Sequence, residues 1–489
     1  MSIIRQFSSG VAWMAAGNWI EQAINFGVFV LLARILGAEA FGLLAMAAAF
    51  VLLSEFLVRD SFSDFLISHE NPSPGHFNAT FWMLTALGGL LSAGLWLGAP
   101  PISAFYGQPE VAGLIVGLSP TVLMIALTAV PVAILRRELR FRALSLRAIF
   151  GVSIGGIVAT YMALNGYGVW ALVGQRLAQV LTNIVMAWGA VKWRPGLKTS
   201  ASHCREVFRF GGAVLGLRAA ELASIQVPSV IIGATLGPVV LGLFSMAWRL
   251  VEIGSFLIVT PLRMAAQPAF AAMRRSGAGA SDLLLDISRL SGLVAFPAFA
   301  GLAVLASPII ALLFGVEWLD AAPMLATISV LGTYFCIEKI HQAFCLAAGR
   351  AGPTALVAWL DVALSALLVW LLAPWGGTAM SAGIVLGLLI LWIVRFIIVG
   401  AAAGIGPWAL AKCHVAPLLA ASGMAAGVGL LLSQLGPYSP LVTVLAGATF
   451  GAFIFGILTM VFMADRLKIL MQFVGKSPGE DTANKPYKN

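Results

Sequence analysis

A chain of 489 residues that is 60% hydrophobic and 10% charged, with a mean hydropathy of +0.97, cannot bury its apolar surface in a water-soluble core. The bilayer is its solvent. The formal net charge of +9 belongs to membrane topology rather than to nucleic acid, since no basic, aromatic-rich soluble domain accompanies it. The four cysteines, Cys204, Cys336, Cys345 and Cys413, form no CxxC pair, so neither disulfides nor a metal site is expected, and no cofactor is implied.

Each crossing takes about 20 apolar residues. Apolar windows bounded by Gly, Pro and charge predict fourteen spans, near 11–33, 41–58, 79–101, 111–135, 148–164, 168–191, 210–235, 239–262, 290–314, 321–347, 354–373, 378–400, 411–433 and 441–464. The N-terminal MSIIRQFSSG leads into a run too long and too polar-studded for a cleaved signal, and is read as the start of a retained first span. Several turns between spans are very short, such as 37–40, 165–167 and 237–238. The tail 465–489 is polar with Pro and Gly and reads as disordered.

Charge sets the expected orientation. With the N-terminus inside, the outer turns carry almost no Lys or Arg apart from Arg34. The inner loops hold Arg136, Arg137, Arg140, Arg142 and Arg147, then Lys192, Arg194, Lys198, Arg205 and Arg209, then Arg263, Arg274, Arg275 and Arg289. Both termini are therefore expected in the cytoplasm. The inner loop 59–78 departs from the pattern, because Asp60, Asp64 and Glu70 outweigh Arg59.

Ionisable residues at mid-bilayer each cost about 2.5–3.5 kcal/mol on insertion scales and need a cavity or a partner. Glu21, Arg176, Arg218, Glu221, Arg249, Glu252 and Asp361 fall near the middle of their spans; Glu338, Lys339 and His341 lie toward the inner side of the tenth. Asn18, Glu21 and Asn25 share one face of the first span, as do Arg176, Gln179 and Asn183 on the sixth. Such stripes are expected to line a wet interior. Arg218 with Glu221, and Arg249 with Glu252, stand i, i+3 and either neutralise each other or serve that interior. Asp361 is either a cavity group or a structural hydrogen-bonding one. Pro131, Pro228 and Pro297 are candidate helix bends.

One stretch occurs twice. LGAEAFGLLAMAAAFVLLSEFL (36–57) and LGPVVLGLFSMAWRLVEIGSFL (236–257) are identical at nine of 22 positions at a constant offset of 200, including Gly37/Gly237 and Gly42/Gly242; the same offset pairs Glu21 with Glu221. The expected architecture is an all-α membrane protein of two related six-helix lobes, 1–209 and 210–405, with two further spans in 406–464 and a cytoplasmic tail 465–489.

The stretches SSGVAW (8–13), LARILGAEAFGLLA (32–45), RRELRFRALSLR (136–147), GYGVWALVGQ (166–175), FGGAVL (210–215), VIIGATLGPVVLGLFSMAWRL (230–250), PAFAAM (268–273), LLFGVEWLDAAPML (312–325) and HQAFCLAAGR (341–350) resemble, in this order, polysaccharide flippases of the MOP exporter superfamily, in its colanic-acid and succinoglycan-like branch. The resemblance implies a non-enzymatic carrier in the bacterial inner membrane. It would move undecaprenyl-pyrophosphate-linked oligosaccharide units to the outer leaflet, by alternating access, for exopolysaccharide, capsule or lipopolysaccharide synthesis. It implies that Arg176, Arg218 and Arg249, with Arg34 near the outer rim, receive pyrophosphate and sugar, and that Glu21 or Glu221 serves any H⁺ or Na⁺ coupling, since QVPSVIIG (226–233) lacks the acid that relatives place there. Gln179, Glu252 and Asp361 complete the cavity candidates. Implied partners are the lipid-linked glycan, membrane lipids, a polysaccharide polymerase and a chain-length regulator, with no nucleic acid. Two competing readings are a multidrug/cation antiporter of the same superfamily, which favours acidic, aromatic-lined cavities, and a membrane polymerase or ligase, which would need an outer-face reaction site that no long outer loop supplies.

Overall fold

The computed structural model describes residues 3–59, 62–276, 281–434 and 438–475; within these, the side chains of 3–12, 15, 211–218, 261, 263–265, 267–269, 271–276, 351 and 463–475 lie outside the description. Where lipid offers a backbone no hydrogen bonds, each segment must satisfy its own N–H and C=O groups, which selects helix. Every described element is accordingly helical, with no strand among the described residues. In chain order these are α1 (Ile3–Arg59), the short α2 (Asp64–Ser68), α3 (Pro74–Tyr106), α4 (Glu110–Leu118), α5 (Pro120–Arg137), α6 (Phe141–Leu164), α7 (Trp170–Ala190) and α8 (Ala201–Ser276). There follow α9 (Ser281–Val304), α10 (Ala306–Leu313), a 3₁₀ turn Val316–Ala321, α11 (Ala322–Ala347), α12 (Ala351–Leu372), a 3₁₀ turn Ala373–Trp375, α13 (Gly377–Ala403), α14 (Pro407–Gln434) and α15 (Pro440–Gly475).

Among the described residues, eleven helical stretches are long and apolar enough to cross a membrane. Two of them, Ala16–Ser68 with 53 residues and Ala219–Thr260 with 42, are far longer than one crossing needs. Each is broken at a glycine, Gly37 (φ 74°, ψ 178°) or Gly237 (φ 80°, ψ −177°), in a backbone region that is essentially glycine-only. The two turn glycines of the sequence repeat thus adopt the same conformation. In α8 the break falls at Gly237 rather than at Pro228; Pro131 and Pro297 sit inside α5 and α9. The helix α7 is not among the eleven, because Arg176, Gln179 and Asn183 make it more polar.

The repeat also packs against itself. A Cβ added at Gly42 would stand 1.7 Å from the carbonyl oxygen of Pro238, and one added at Gly242 would stand 1.9 Å from that of Ala38. Two equivalent backbones therefore touch at two equivalent places, each closed by a residue with no side chain. Small residues at helix contacts serve this purpose in lipid, where packing rather than the hydrophobic effect holds helices together.

The chain forms two compact units. The first comprises Met1–Leu250, Leu313–Ile328 and Gly352–Trp392; the second comprises Val251–Leu312, Ser329–Ala351 and Ile393–Asn489. In the first, α6 packs on α7 and α1, and α5 on α3 and α7. The α6–α7 approach is close, since a Cβ at Gly155 would lie 2.8 Å from the Gln175 carbonyl oxygen and one at Gly151 would lie 2.6 Å from Asn183 Oδ1. Near the break in α1, Phe29, Phe41, Phe314 and Trp318 make edge-on ring contacts, and the Trp318 indole N–H donates to the Ala33 carbonyl at 3.3 Å. The α1–α3 connection is held by Arg137 at the end of α5, whose guanidinium donates to the carbonyls of Leu66, His69 and Glu70 at 2.9, 2.7 and 2.7 Å. In the second unit α14 packs on α9 and α15, and Phe270, Leu284, Ile340, Phe344 and Leu410 form a buried apolar cluster.

Replacing Gly42 or Gly242 by Ala should cost this arrangement about 1–3 kcal/mol or more, because the obstructing atoms are backbone. A lowered melting temperature of the purified protein in detergent checks this, with Gly94→Ala, where an added Cβ meets nothing within 4 Å, expected to melt like the parent.

Candidate functional site

In the first unit a cavity of about 190 Å³ opens among α1, α5, α6 and α7. Its polar lining is Glu21 and Arg59 from α1, Thr128 and Arg136 from α5, Arg147 from the start of α6, and Arg176, Gln179 and Asn183 from α7; Ile125, Ala129, Val132, Ala148 and Val180 supply the apolar wall. The stripe on α7 reaches this space because the spacing i, i+3, i+7 keeps its members on one helix face, and because Gly151 and Gly155 let α6 come close to that face.

Behind the cavity wall stands Glu55, 1% exposed. The Arg176 guanidinium donates to its Oε2, and Arg59 Nη2 reaches the same oxygen at 3.4 Å. The Thr121 hydroxyl donates to Oε1 at 2.7 Å. Both carboxylate oxygens are thereby engaged, which a buried ion requires. Counting Glu21, Glu55 and Asp64, whose carboxylate lies 3.9 Å from Arg136 Nη1, against the guanidiniums of Arg59, Arg136, Arg147 and Arg176 leaves an excess of one positive charge around the space. Planar guanidiniums with several donors each bind phosphate and carboxylate oxygens in pairs, so the arrangement suits an anion.

The structure sorts the residues expected from sequence. Glu21, Arg176 and Gln179 line the cavity, together with Asn183 of the same stripe. Asn18 is exposed and Asn25 half-buried, and neither is among the lining residues. Arg34 is exposed and donates from Nε to the Leu313 carbonyl at 2.7 Å, beside the break in α1 rather than in the cavity. Glu221 and Arg249 are half-buried on α8, Glu252 is exposed, and Asp361 on α12 is 3% exposed; none lines this space. The Arg218 side chain lies outside the described residues.

Three lining arginines, Arg59, Arg136 and Arg147, read from sequence as inner-loop charges, and Glu55 sits among apolar residues near the end of a predicted span. The signal available was the i, i+4 spacing of Glu55 and Arg59 at the end of α1, which now appears as an ion pair. The second unit holds a separate buried pair: Arg395 of α13 donates to Glu338 of α11 and stacks over the Tyr334 ring at 5.9 Å. Close by in sequence, Lys339 donates to Gln342 at 3.3 Å, and His341 lies 3.1 Å from the Ser288 hydroxyl. Glu338, Lys339 and His341 were legible in the tenth span, whereas their partners on α9 and α13 were not.

The chain is 25% identical over 320 residues to the succinoglycan biosynthesis transport protein ExoT of Rhizobium meliloti, and the match spans 65% of the length of each. It is 25% identical over 357 residues to the teichuronic acid biosynthesis protein TuaB of Bacillus subtilis, covering 72% of this chain and 73% of that one. It is 21% identical over 401 residues to the lipopolysaccharide biosynthesis protein WzxC of Escherichia coli, covering 81% of each. Among solved structures, the fold matches lipid II flippase MurJ in an inward closed conformation with a TM-score of 0.75 at 13% identity, over 93% of this chain and 99% of that one. It matches an inward-facing multidrug resistance MATE family transporter of the MOP superfamily with a TM-score of 0.57 at 17% identity, over 84% and 96%. The family model described as "Polysaccharide biosynthesis protein" matches residues 31–323, more than half of the sequence. The chain belongs to this polysaccharide biosynthesis protein family.

Proposed function

We propose that the protein is a flippase that carries lipid-linked oligosaccharide repeat units, joined through pyrophosphate to undecaprenol, across the bacterial cytoplasmic membrane for exopolysaccharide, capsule or lipopolysaccharide synthesis. The observation that carries this reading is the arginine-rich cavity built by α1, α5, α6 and α7. The relatives named for succinoglycan transport and lipopolysaccharide biosynthesis, and the shared fold of a lipid II flippase, support it. The physical difficulty of such transport is moving a polyanionic head through low dielectric while the lipid tail stays in the bilayer. Fixed guanidiniums replace the water that the phosphates lose.

At about 190 Å³ the cavity is smaller than the roughly 300–1,000 Å³ of sites that enclose a drug-sized ligand. It takes the pyrophosphate group and leaves the sugars outside. Four guanidiniums also disfavour the cationic cargo of a multidrug antiporter. Entering phosphate competes with Glu55 for Arg176, so Arg176 is the group through which cargo is felt. Alternating access by lobes 1–209 and 210–405 would part and rejoin the turns that meet at Gly42 and Gly242. With both termini cytoplasmic, that contact closes the outer side. Coupling to H⁺ or Na⁺ would act through Glu21, the carboxylate lining the cavity.

Arg176→Ala and Arg147→Ala should each slow translocation of a lipid-pyrophosphate oligosaccharide in reconstituted vesicles by about tenfold to a hundredfold at limiting substrate, the worth of one charge-assisted contact at about 1.5–3 kcal/mol. Parental rates in both would remove the cavity from the transport path. In a cysteine-free background, joining Glu39→Cys to Val239→Cys with a short reducible cross-linker should stop translocation, and reductant should restore it; transport that persists while cross-linked rules out an outer gate there. Collapsing the pH and Na⁺ gradients together in sealed vesicles should slow transport, and an unchanged rate excludes coupling to either ion.

A further inference from the structure

Apart from the cavity, the first unit gathers three histidines and a carboxylate where the α1–α3 connection meets the start of α8. His69 lies in the connection, His76 in the first turn of α3, and His203 and Glu206 stand i, i+3 in the first turns of α8. One potential ligand atom from each of His69, His76 and Glu206 lies within 4.8 Å of the other two. His76 Nε2 is 3.1 Å from Glu206 Oε2, and the His69 and His203 rings are centred 5.3 and 4.3 Å from the His76 ring. Hydrophobic contacts hold the two segments together independently, through Phe62 stacked on Phe208 and Phe65 against Phe210.

We propose that His69, His76 and Glu206 bind one divalent transition-metal ion, zinc being the best fit, with His203 or water as the fourth ligand. Two imidazoles and a carboxylate form a mixed N/O set that zinc accepts and that magnesium or calcium, which prefer all-oxygen sites, do not. Bonds of about 2.0–2.1 Å in a tetrahedron place donor atoms about 3.3–3.4 Å apart. The His76–Glu206 spacing is already near that value, and a small rotation of the half-buried His69 would close the remainder; His203, whose ring nitrogens lie 2.8 Å from the Ser200 hydroxyl and 3.4 Å from that of Ser73, would have to leave these partners to become the fourth ligand. Glu206 is exposed and gives the ion a path from water.

The surroundings of His76 accommodate the change of tautomer that binding requires. Its Nδ1 accepts from the Ser73 backbone N–H at 3.1 Å, so in the metal-free protein the ring proton is on Nε2 and points at Glu206. When the metal takes Nε2, that proton moves to Nδ1 and is donated to the Ser73 hydroxyl oxygen, 2.9 Å away, and the Ser73 backbone N–H gives up its bond to the ring. This is the outer partner that metal-bound histidines commonly have. The bound ion would fasten the connection before α3 to the first turns of α8.

The test is zinc titration of the chelator-stripped, full-length protein in detergent, by calorimetry and by metal content after desalting. The expected result is one tightly held zinc per chain. The double variant His69→Gln/Glu206→Gln, altered at one exposed and one half-buried site, should retain its melting temperature without metal and lose more than about 100-fold in zinc affinity, beyond the 10–100-fold typical of outer-shell changes. Cys204→Ser should bind as the parent does. Cobalt(II) should give the intense visible absorption of a four-coordinate site. No retained zinc, affinity unchanged in the double variant, affinity lost in Cys204→Ser, or a weak octahedral cobalt spectrum would each overturn the assignment.

Discussion

Glu55 is a carboxylate with almost no access to water in a chain whose surroundings are hydrocarbon, and such a group exists only where donors surround it. Its donors come from three different helices: Arg59 on its own α1, Thr121 on α5 and Arg176 on α7. Removing one partner of a buried ion pair typically costs about 3–5 kcal/mol, because the other charge is left uncompensated. The positions of α1, α5 and α7 are therefore tied together at one atom pair, and the cavity that these helices enclose with α6 inherits its shape from that constraint. The same carboxylate holds Arg176 at the cavity wall, so a structural pair and a ligand-facing guanidinium are one and the same group.

The other constraint is steric. In lipid, helices gain little from burying apolar side chains, and close backbone approach takes over. The repeat uses it twice at equivalent places, with Gly42 under the Pro238 carbonyl and Gly242 under that of Ala38. Contacts between backbones have no soft side chain to yield, so they are either made or broken. A contact of that kind suits a protein that passes between two discrete arrangements.

Much of the helical plan was legible because hydropathy reports it directly: a residue too polar for hydrocarbon ends a span, and twenty apolar ones in a row make one. The turn at Gly37 and its counterpart at Gly237 were visible as a repeated register, and their matching positive φ values show why no other residue serves there. The stripe on α7 was visible too, since helical spacing is a property of sequence alone. Legibility fails where residues distant in the chain meet. Arg136 and Arg147 look like any other positive charge at an inner helix end, and only the packing of α5 and α6 around the cavity distinguishes them from Arg140, which donates to the Ala190 carbonyl. Nor does spacing along the chain show that Arg34 Nε donates to the Leu313 carbonyl, 279 positions away.

By itself, then, the sequence determined that this chain is a helical membrane protein with an internal repeat, that glycines turn its two long helical stretches, and that Glu21, Arg176 and Gln179 are polar residues placed where lipid would not tolerate them. These follow from local composition, periodicity and the cost of charge in hydrocarbon, none of which needs a neighbour. Tertiary structure alone decided that Arg59, Arg136 and Arg147 join Arg176 around one space, that Glu55 is the carboxylate which anchors it, and that the two halves of the repeat touch through Gly42 and Gly242. Those facts depend on which helix faces which, and pairing between residues some seventy to two hundred positions apart leaves no trace in the spacing along either one.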